Sequence, residues 1–117
     1  MNEANVRAVT GTGANIDHYT GFIPGKVEVT NIDSATGDKL EWYVGMADAS
    51  AFKTAGSTRS KITTNGITVL RDPNLGYGIR IGADAAVNIA GQKMVIISER
   101  GGEGNQEPSY SSLPTGA

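Results

Sequence analysis

Residues 21–46 have the sequence GFIPGKVEVTNIDSATGDKLEWYVGM, and this stretch decides the class of fold. Val27 and Val29 alternate with polar residues at positions 26, 28 and 30, the period of two that gives a β-strand one apolar and one polar face. Residues 31–38 are rich in Asp, Ser, Thr and Gly, which favour turns through local hydrogen bonds and positive φ. Because proline cannot donate to a sheet ladder, we predict a strand that begins at Pro24 and ends in this turn.

The chain returns from the turn as a second strand that carries the single tryptophan. Leu40, Trp42 and Val44 alternate with Glu41 and Tyr43, so the three apolar side chains share one face. An aromatic group as large as that of Trp usually dominates a small core. The pattern predicts a β-hairpin whose apolar face forms the centre of the hydrophobic core.

Further segments show the same short strand patterns. Residues 4–10 alternate weakly and predict a strand near a sheet edge, and residues 16–19 predict a short strand or an extended segment. In residues 77–81 the odd positions are apolar or aromatic and share one face. Residues 93–99 contain the continuous apolar run MVII, which is typical of a central strand buried on both faces.

Two other stretches are defined by their turn and small residues. The dipeptide Asn65-Gly66 favours a type I′ turn and predicts a hairpin between residues 61–64 and 67–71. Residues 47–60 are mostly small, and they fit either one or two helical turns or an ordered loop.

These segments predict one all-β domain, an antiparallel β-sandwich of jelly-roll-like form with extended N- and C-terminal segments. Residues 1–20 are expected to form an N-terminal arm or edge strand, residues 21–100 the sandwich, and residues 101–117 a flexible or partner-bound tail. The expected core anchors are apolar residues that lie in phase along the strands: Val27, Val29, Leu40, Trp42, Val44, Ile79, Ile81, Val95 and Ile97.

The composition limits the classes of partner and of compartment. The 117 residues include no cysteine, so neither a disulfide framework nor a thiolate metal site can support the fold. The net charge is −2, with acidic and basic residues mixed along the chain, which argues against nucleic acid as a partner. No apolar run approaches the roughly 20 residues of a membrane span, and the first residues lack a secretory pattern. We expect a soluble chain made in the cytoplasm, with no membrane partner.

Few residues of the chain have side chains that are typical of catalytic or metal sites. His18 is the only histidine, and Asp17 next to it would point to the opposite face of a strand, so an acid–base pair is not expected. Three copies of His18 around a threefold axis could still collect an ion. Asp33 and Asp38 lack the ligand ladder of a calcium loop and are better explained as turn residues. We expect no enzymatic activity, no cofactor and no metal site.

Two kinds of binding residue remain as candidates. Trp42, Tyr43 and Tyr77 would stack on sugar rings if exposed, as in a carbohydrate-binding module, although Trp42 shares a face with core residues. The polar segment after residue 100 is either a disordered end or an arm that lies on a neighbouring subunit. The candidate partner-binding residues are apolar positions of the two terminal segments: Val6, Ala8, Tyr110 and Leu113.

Several motifs of the chain resemble a recurring pattern in small structural proteins of tailed bacteriophages and prophages. They are Gly21-Phe22-Ile23-Pro24, Lys26-Val27-Glu28-Val29-Thr30-Asn31, Glu41-Trp42-Tyr43-Val44-Gly45-Met46, Gly78-Ile79-Arg80-Ile81-Gly82-Ala83-Asp84, Val87-Asn88-Ile89-Ala90-Gly91 and the strand from Met94 to Ser98. The resemblance covers residues 21–100 and rests on strand cores and turns.

The resemblance implies a virion component, first of all a decoration or cement protein on the outer surface of the phage head, with the major capsid protein as its partner. A symmetric homo-oligomer is expected, most simply a trimer. A tail, baseplate or fibre-attachment protein would share the fold, and a carbohydrate-binding module is the alternative from another class. The resemblance carries over no catalytic residue.

Overall fold

The structure is a computed structural model that describes residues 4–101. Within this range there are eight β-strands and no helix, and therefore no helix that could cross a membrane. The strands are β1 (Ala4–Thr10), β2 (Ile16–Tyr19), β3 (Pro24–Asn31), β4 (Lys39–Tyr43), β5 (Ser50–Ala55), β6 (Thr58–Asp72), β7 (Gly76–Ile81) and β8 (Lys93–Arg100).

All eight strands belong to one sheet, in the order β1-β8-β3-β4-β5-β6-β7-β2, and every neighbouring pair is antiparallel. The two edge strands, β1 and β2, follow each other in the chain. The sheet curls until these edges approach, and His18 Nε2 of β2 lies 3.0 Å from Asn5 Oδ1 of β1. The predicted all-β antiparallel fold is confirmed. All the described strands are hydrogen-bonded into one curled sheet.

The hairpin predicted from residues 21–46 is formed by β3 and β4. Val27 lies opposite Trp42 and Val29 opposite Leu40, and all four side chains are buried inside the curl. The turn closes with a backbone hydrogen bond from the N–H of Asn31 to the carbonyl of Asp38. The period of two in the sequence therefore predicted correctly that Val27, Val29, Leu40 and Trp42 are buried.

Residues from most of the strands fill the interior of the curled sheet. The buried apolar cluster consists of Val27, Val29, Leu40, Trp42, Ala51, Ile67, Val69, Ile79, Ile81, Val87, Met94 and Ile96. Val87 belongs to the loop between β7 and β8, so this loop covers the interior at one end. We call this the capped end; the opposite end, where β7 begins at Gly76, is the Tyr77 end.

The prediction that Val44 is a core anchor is wrong, because 68% of its surface is exposed. Strand β4 ends at Tyr43, and the next residues form a turn in which the N–H of Met46 donates to the carbonyl of Tyr43. Gly45 supports this turn with a φ of 100°. The alternation that places Trp42 inside therefore stops before it reaches Val44.

The prediction that Val95 and Ile97 are core anchors has to be corrected as well. In β8 the fully buried side chains are Met94, Ile96 and Ser98, and Val95 and Ile97 are only half-buried on the opposite face. Strand β8 is hydrogen-bonded on both sides, to β1 and β3, but only the inner face of the curled sheet is packed. A run of consecutive apolar residues does not reveal which face points inward.

The hairpin predicted at Asn65-Gly66 is also not formed, because β6 runs through both residues. Ala51 of β5 pairs with Ile62 and Ser50 with Ile67, so four extra residues of β6 lie between consecutive partners. Asn65 has a φ of 60°, the left-handed conformation expected for this dipeptide, but it bends one long strand and does not reverse the chain. The segment described as a helix or loop contributes β5.

Asn88 ties the capped end together with its side-chain amide, which is 1% exposed. Its Nδ2 donates to the carbonyls of Ala14, at 2.6 Å, and Gly82, at 3.0 Å. Its Oδ1 accepts from the N–H groups of Thr12, at 3.0 Å, and Gly13, at 3.3 Å. One side chain thus joins the β1–β2 loop to the end of β7.

Asn31 plays a similar part where β3 ends. Its Oδ1 accepts from the N–H groups of Asp33 and Ser34, and its Nδ2 donates to the carbonyl of Ala86 and to Gln92 Oε1. The β3–β4 turn is thereby attached to the loop that covers the interior. The capped end is consequently held by buried amide groups as well as by apolar packing.

Candidate binding surface

The Tyr77 end brings together four segments that are distant in sequence. Here β3 begins at Pro24, β4 ends at Tyr43, β7 begins at Gly76 and β8 ends at Arg100. Residues 21–23, which lead into β3, lie against Gly101, whose N–H donates to the carbonyl of Ile23 at 3.0 Å. The meeting of these strand ends positions the side chains described next.

Ile23, Val44 and Tyr77 form an exposed apolar patch at this end, with exposed fractions of 46%, 68% and 39%. They surround a pocket of about 180 Å³, which we call the Tyr77 pocket. Phe22 is buried and also lines the pocket, and the Arg100 guanidinium carbon lies 5.6 Å from the centre of its ring. The patch therefore combines large apolar side chains with one cation.

Two neighbouring pockets extend this surface. One of about 360 Å³ shares Tyr77 with the first pocket and is otherwise lined by the β6–β7 turn. Another of about 350 Å³ shares Ile23, Pro24 and Val44 with the first and reaches Arg71 of β6, which also lines the second. The three concavities form one continuous surface, which we call the Tyr77 surface. The outer parts of this surface carry Arg71, Asp72 and Asp48, and the apolar patch at its centre is typical of a site that binds a partner.

The outer face of β3–β6 is different in character, because its aromatic groups are accompanied by charges. The Arg59 guanidinium carbon lies 4.4 Å from the centre of the Phe52 ring, and Lys26 Nζ lies 5.9 Å from that of Tyr43. Glu41 forms ion pairs with Arg59, at 3.3 Å, and with Lys39, at 3.9 Å. These groups satisfy one another, so this face lacks the apolar character of the Tyr77 surface.

His18 lies inside the curled sheet and bridges its two edges. Its neighbour Asp17 points outward and binds Arg80 through two hydrogen bonds, of 2.7 Å and 3.1 Å, and this ion pair lowers the pKa of Asp17. Burial lowers the pKa of His18, and the nearby positive charge of Arg7 lowers it further. These effects favour a neutral imidazole, which is hydrogen-bonded to Asn5. His18 and Asp17 lie on opposite faces of β2 and therefore do not form an acid–base pair.

We expect the free energy of unfolding to fall as the pH is lowered from about 7.5 to about 5, because the unfolded chain then binds a proton at His18 more readily than the folded chain. The stabilising effect of the lowered pKa is complete above the ordinary value of 6.5 and is lost as the pH falls towards the folded value. Urea unfolding at a series of pH values measures this dependence.

The matched variant for this prediction is His18→Gln, which retains a polar amide in place of the ring but does not titrate. Its stability should vary less with pH over the same interval. The carboxyl groups with lowered pKa values, Asp17, Asp38 and Asp72, have an ordinary value of 3.8 and affect stability mainly at lower pH. An unchanged pH dependence in His18→Gln would contradict the role given to His18.

The acidic residues of the β3–β4 connection accept hydrogen bonds from this connection and from neighbouring segments. Asp33 Oδ2 accepts from the N–H of Lys93 at 2.8 Å, and Asp38 Oδ1 accepts from Thr36 Oγ1 at 2.6 Å and from the N–H of Gly56 at 2.9 Å. These bonds lower the pKa of Asp38. Across residues 4–101, no three His, Cys, Asp or Glu side chains cluster in a way that would hold a metal ion.

The other candidate residues fall in different places. Trp42 is buried, with its Nε1 3.4 Å from the carbonyl of Ala47, so it is not available to stack on a sugar beside Tyr77. Val6 and Ala8 are exposed on edge strand β1. Tyr110 and Leu113 lie outside the described residues. Trp42 lines the third pocket with only 4% of its surface exposed, so Tyr77 is the aromatic candidate that is exposed at the patch.

Sequence reasoning did not identify Ile23 and Val44 as surface residues. A usable signal was present for Val44, because Gly45 follows it directly and often marks the end of a strand. Ile23 precedes Pro24, which places it just outside the strand. Both are apolar residues at strand ends, where alternation no longer determines burial.

Comparison of the chain with protein-family profiles, with curated proteins and with solved structures gives no match in any of the three.

Proposed function

We propose that this protein is a non-catalytic structural protein of a virion, a decoration protein that binds the outer surface of an assembled tailed-phage head. The resemblance of residues 21–100 to small phage structural proteins supports this class. The observation that carries the binding role is the contiguous apolar patch of Ile23, Val44 and Tyr77. His18, the histidine on which acid–base chemistry would depend, is buried and holds Asn5, which supports a role in stability.

The patch has the chemistry for docking on a protein surface. Burying an apolar side chain of this size fully contributes about 1.5–3 kcal/mol, so the three exposed residues provide several kcal/mol before the costs of association. A protein that binds only the assembled lattice stabilises it by mass action at every occupied site. Many such contacts together would resist the internal pressure of a filled head.

In this proposal the partner is the major capsid protein, and the protein is located on the capsid surface of the virion. The copies associate as a homotrimer, which presents three Tyr77 surfaces to a lattice of matching symmetry. Simultaneous engagement of several surfaces raises the overall affinity above that of one patch. Contacts that are individually modest are therefore sufficient for tight binding of the trimer to the lattice.

Two alternatives are tested by the same experiments. A tail, baseplate or fibre-attachment protein would use the patch on a different virion partner. A carbohydrate-binding module is favoured only by the exposure of Tyr77 beside a pocket, and the burial of Trp42 removes the second stacking ring expected for it. Binding to glycans that is lost in Tyr77→Ala would support the carbohydrate alternative over the proposal.

The copy number in purified particles tests the location. Hundreds of copies that are released together with capsid shells would support head decoration. A few dozen copies or fewer, recovered with tails, would contradict it in favour of a tail protein.

Val44→Asp tests the binding surface, because it places a charge in the middle of the patch without disturbing a buried residue. We expect it to lower the affinity for particles at least about tenfold, through loss of apolar burial and desolvation of the carboxylate. Sedimentation of particles with purified protein measures bound and free fractions.

The matched control is Ile32→Asp, because Ile32 is 54% exposed but lies at the capped end, in the β3–β4 connection. Its affinity for particles should stay close to that of the wild type. Equal losses in the two variants would mean that the Tyr77 surface is not the docking site. The melting temperatures of both variants should remain near that of the wild type, since neither side chain is buried.

A further inference from the structure

The outer face of β8 carries apolar side chains that the described strands do not cover. Val95 and Ile97 belong to the MVII run, a sequence pattern that is typical of a strand buried on both faces. In the structure Met94 and Ile96 fill the inner face, and Val95 and Ile97 are half-buried on the outer face. Because all the described strands belong to one curled sheet, none of them forms a second layer over this outer face.

Edge strand β1 extends this apolar area. Its pairing with β8 sets Val6 opposite Ile97 and Ala8 opposite Val95, and residues that lie opposite each other share a face of the sheet. Val6 is 67% exposed, and Ala8 is exposed as well. We call these four apolar residues of β1 and β8 the outer strip.

Opposite charges lie at the two ends of the outer strip. Lys93 is at one end and Glu99 at the other, because every second residue of β8 faces the same side. Neither of these side chains takes part in an ion pair within residues 4–101. The carboxylate of Glu28, which borders the strip on β3, is instead paired with Lys39 at 3.2 Å. The two charges at the ends of the strip are therefore available to another molecule.

We propose that the outer strip packs against the same strip of a second copy, around a twofold axis that lies between the two sheets and perpendicular to the strands. Two sheet faces then meet as in a β-sandwich, with the two β8 strands antiparallel. Val95 meets Ile97 of the second copy, and Lys93 meets Glu99 of the second copy. By symmetry each of these contacts occurs twice. The strip is thus complementary to itself in apolar character and in charge.

This contact is separate from the proposed docking on a capsid, because the outer strip and the Tyr77 surface have no residue in common. As a twofold contact it would join two free chains, or one copy from each of two neighbouring trimers. The strip is smaller than a standard interface, which has roughly 20–30 residues on each side. We therefore expect weak self-association, with a dissociation constant between about 10 μM and about 1 mM.

Sedimentation equilibrium of the full-length protein over this range of concentration tests the contact without any particle. The average mass of the wild type should rise towards twice its value in dilute solution. Val6→Asp should weaken the association at least about tenfold, because it places a carboxylate from each copy within the apolar contact. The matched control is Val44→Asp, the same substitution at a position that is 68% exposed. It should associate as the wild type does.

Charge reversal tests the antiparallel arrangement. Lys93→Glu sets a second carboxylate against Glu99 at both ends of the contact and should weaken the association about tenfold at low salt, and less at high salt. The double variant Lys93→Glu/Glu99→Lys restores opposite charges and should recover most of the wild-type association. A defect of the single variant that came only from its own fold would not be repaired in this way.

Three results would overturn the proposal. The first is a wild-type mass that stays at one chain or at three chains at every concentration. If particle binding then falls in Val6→Asp, the strip belongs to the capsid protein and not to a second copy. The second is equal association of the wild type and Val6→Asp, and the third is a double reversal that recovers nothing. The proposed function fails separately, if Val44→Asp leaves particle binding unchanged while the wild type still self-associates.

Discussion

Replacing Asn88 with Leu is expected to lower the free energy of unfolding by about 4 kcal/mol, a large part of the stability of a domain of this size. Leu has nearly the same shape as Asn but neither donates nor accepts hydrogen bonds. The variant therefore leaves the carbonyls of Ala14 and Gly82 and the N–H groups of Thr12 and Gly13 without their partner. Each buried polar group left unpaired costs about 1–3 kcal/mol, less where water can enter.

Asn15→Ala is the matched control for this prediction, because Asn15 lies in the same β1–β2 loop but is exposed. Its effect should stay within about 0.5 kcal/mol. Urea unfolding followed by the fluorescence of Trp42 measures both variants, since this single tryptophan is buried in the core. If Asn88→Leu unfolds at nearly the same urea concentration as Asn15→Ala, the four hydrogen bonds do not hold the capped end together.

Gly82→Ala is expected to destabilise the protein by about 3 kcal/mol for a steric reason. A Cβ atom at this position would lie 2.4 Å from the carbonyl carbon of Asn65 and 2.5 Å from its Cα. These are backbone atoms at the bend of β6, so the two strands must move apart to relieve the overlap. The N–H of Gly82 donates to the carbonyl of Gly66, and this hydrogen bond would be strained by the same movement.

Gly37→Ala separates steric overlap from conformational strain. Gly37 has a φ of 61°, and a Cβ atom there would meet nothing within 4 Å. Its substitution should therefore cost only the roughly 1–2 kcal/mol of a non-glycine residue in the left-handed region. Thermal unfolding should place Gly82→Ala clearly below Gly37→Ala in Tm. The reverse order would mean that the bend of β6 yields easily.

Much of the fold could be predicted because it depends on alternation along single strands. The β3–β4 hairpin and its buried face follow from Val27, Val29, Leu40 and Trp42. The predictions of burial are wrong at positions where the alternation of apolar and polar residues ends or is absent. Val44 lies one residue beyond the end of its strand, and the MVII run is apolar at every position. Burial at these places is decided by tertiary contacts.

The long-range features were not accessible from the sequence. Asn65 adopts the left-handed φ that a type I′ turn requires, but Gly66 does not, and whether the dipeptide reverses the chain or bends a strand depends on β5 and β7 on either side. Asn88 binds groups more than seventy residues away, and no local pattern marks it. The Tyr77 surface is assembled from four strand ends, so its members became apparent only from the topology.

The pairing of Ala4 with Glu99 places both ends of the described chain at the Tyr77 end of the curled sheet. A peptide inserted directly before Ala4 or directly after Gly101 would therefore start next to the surface through which we propose that the protein docks. A peptide that must not cover this surface is better inserted in the β3–β4 connection, around residues 35–36. These residues are exposed at the capped end. The curled sheet thus has one end at which we propose that the protein docks and an opposite end at which an inserted peptide would be exposed.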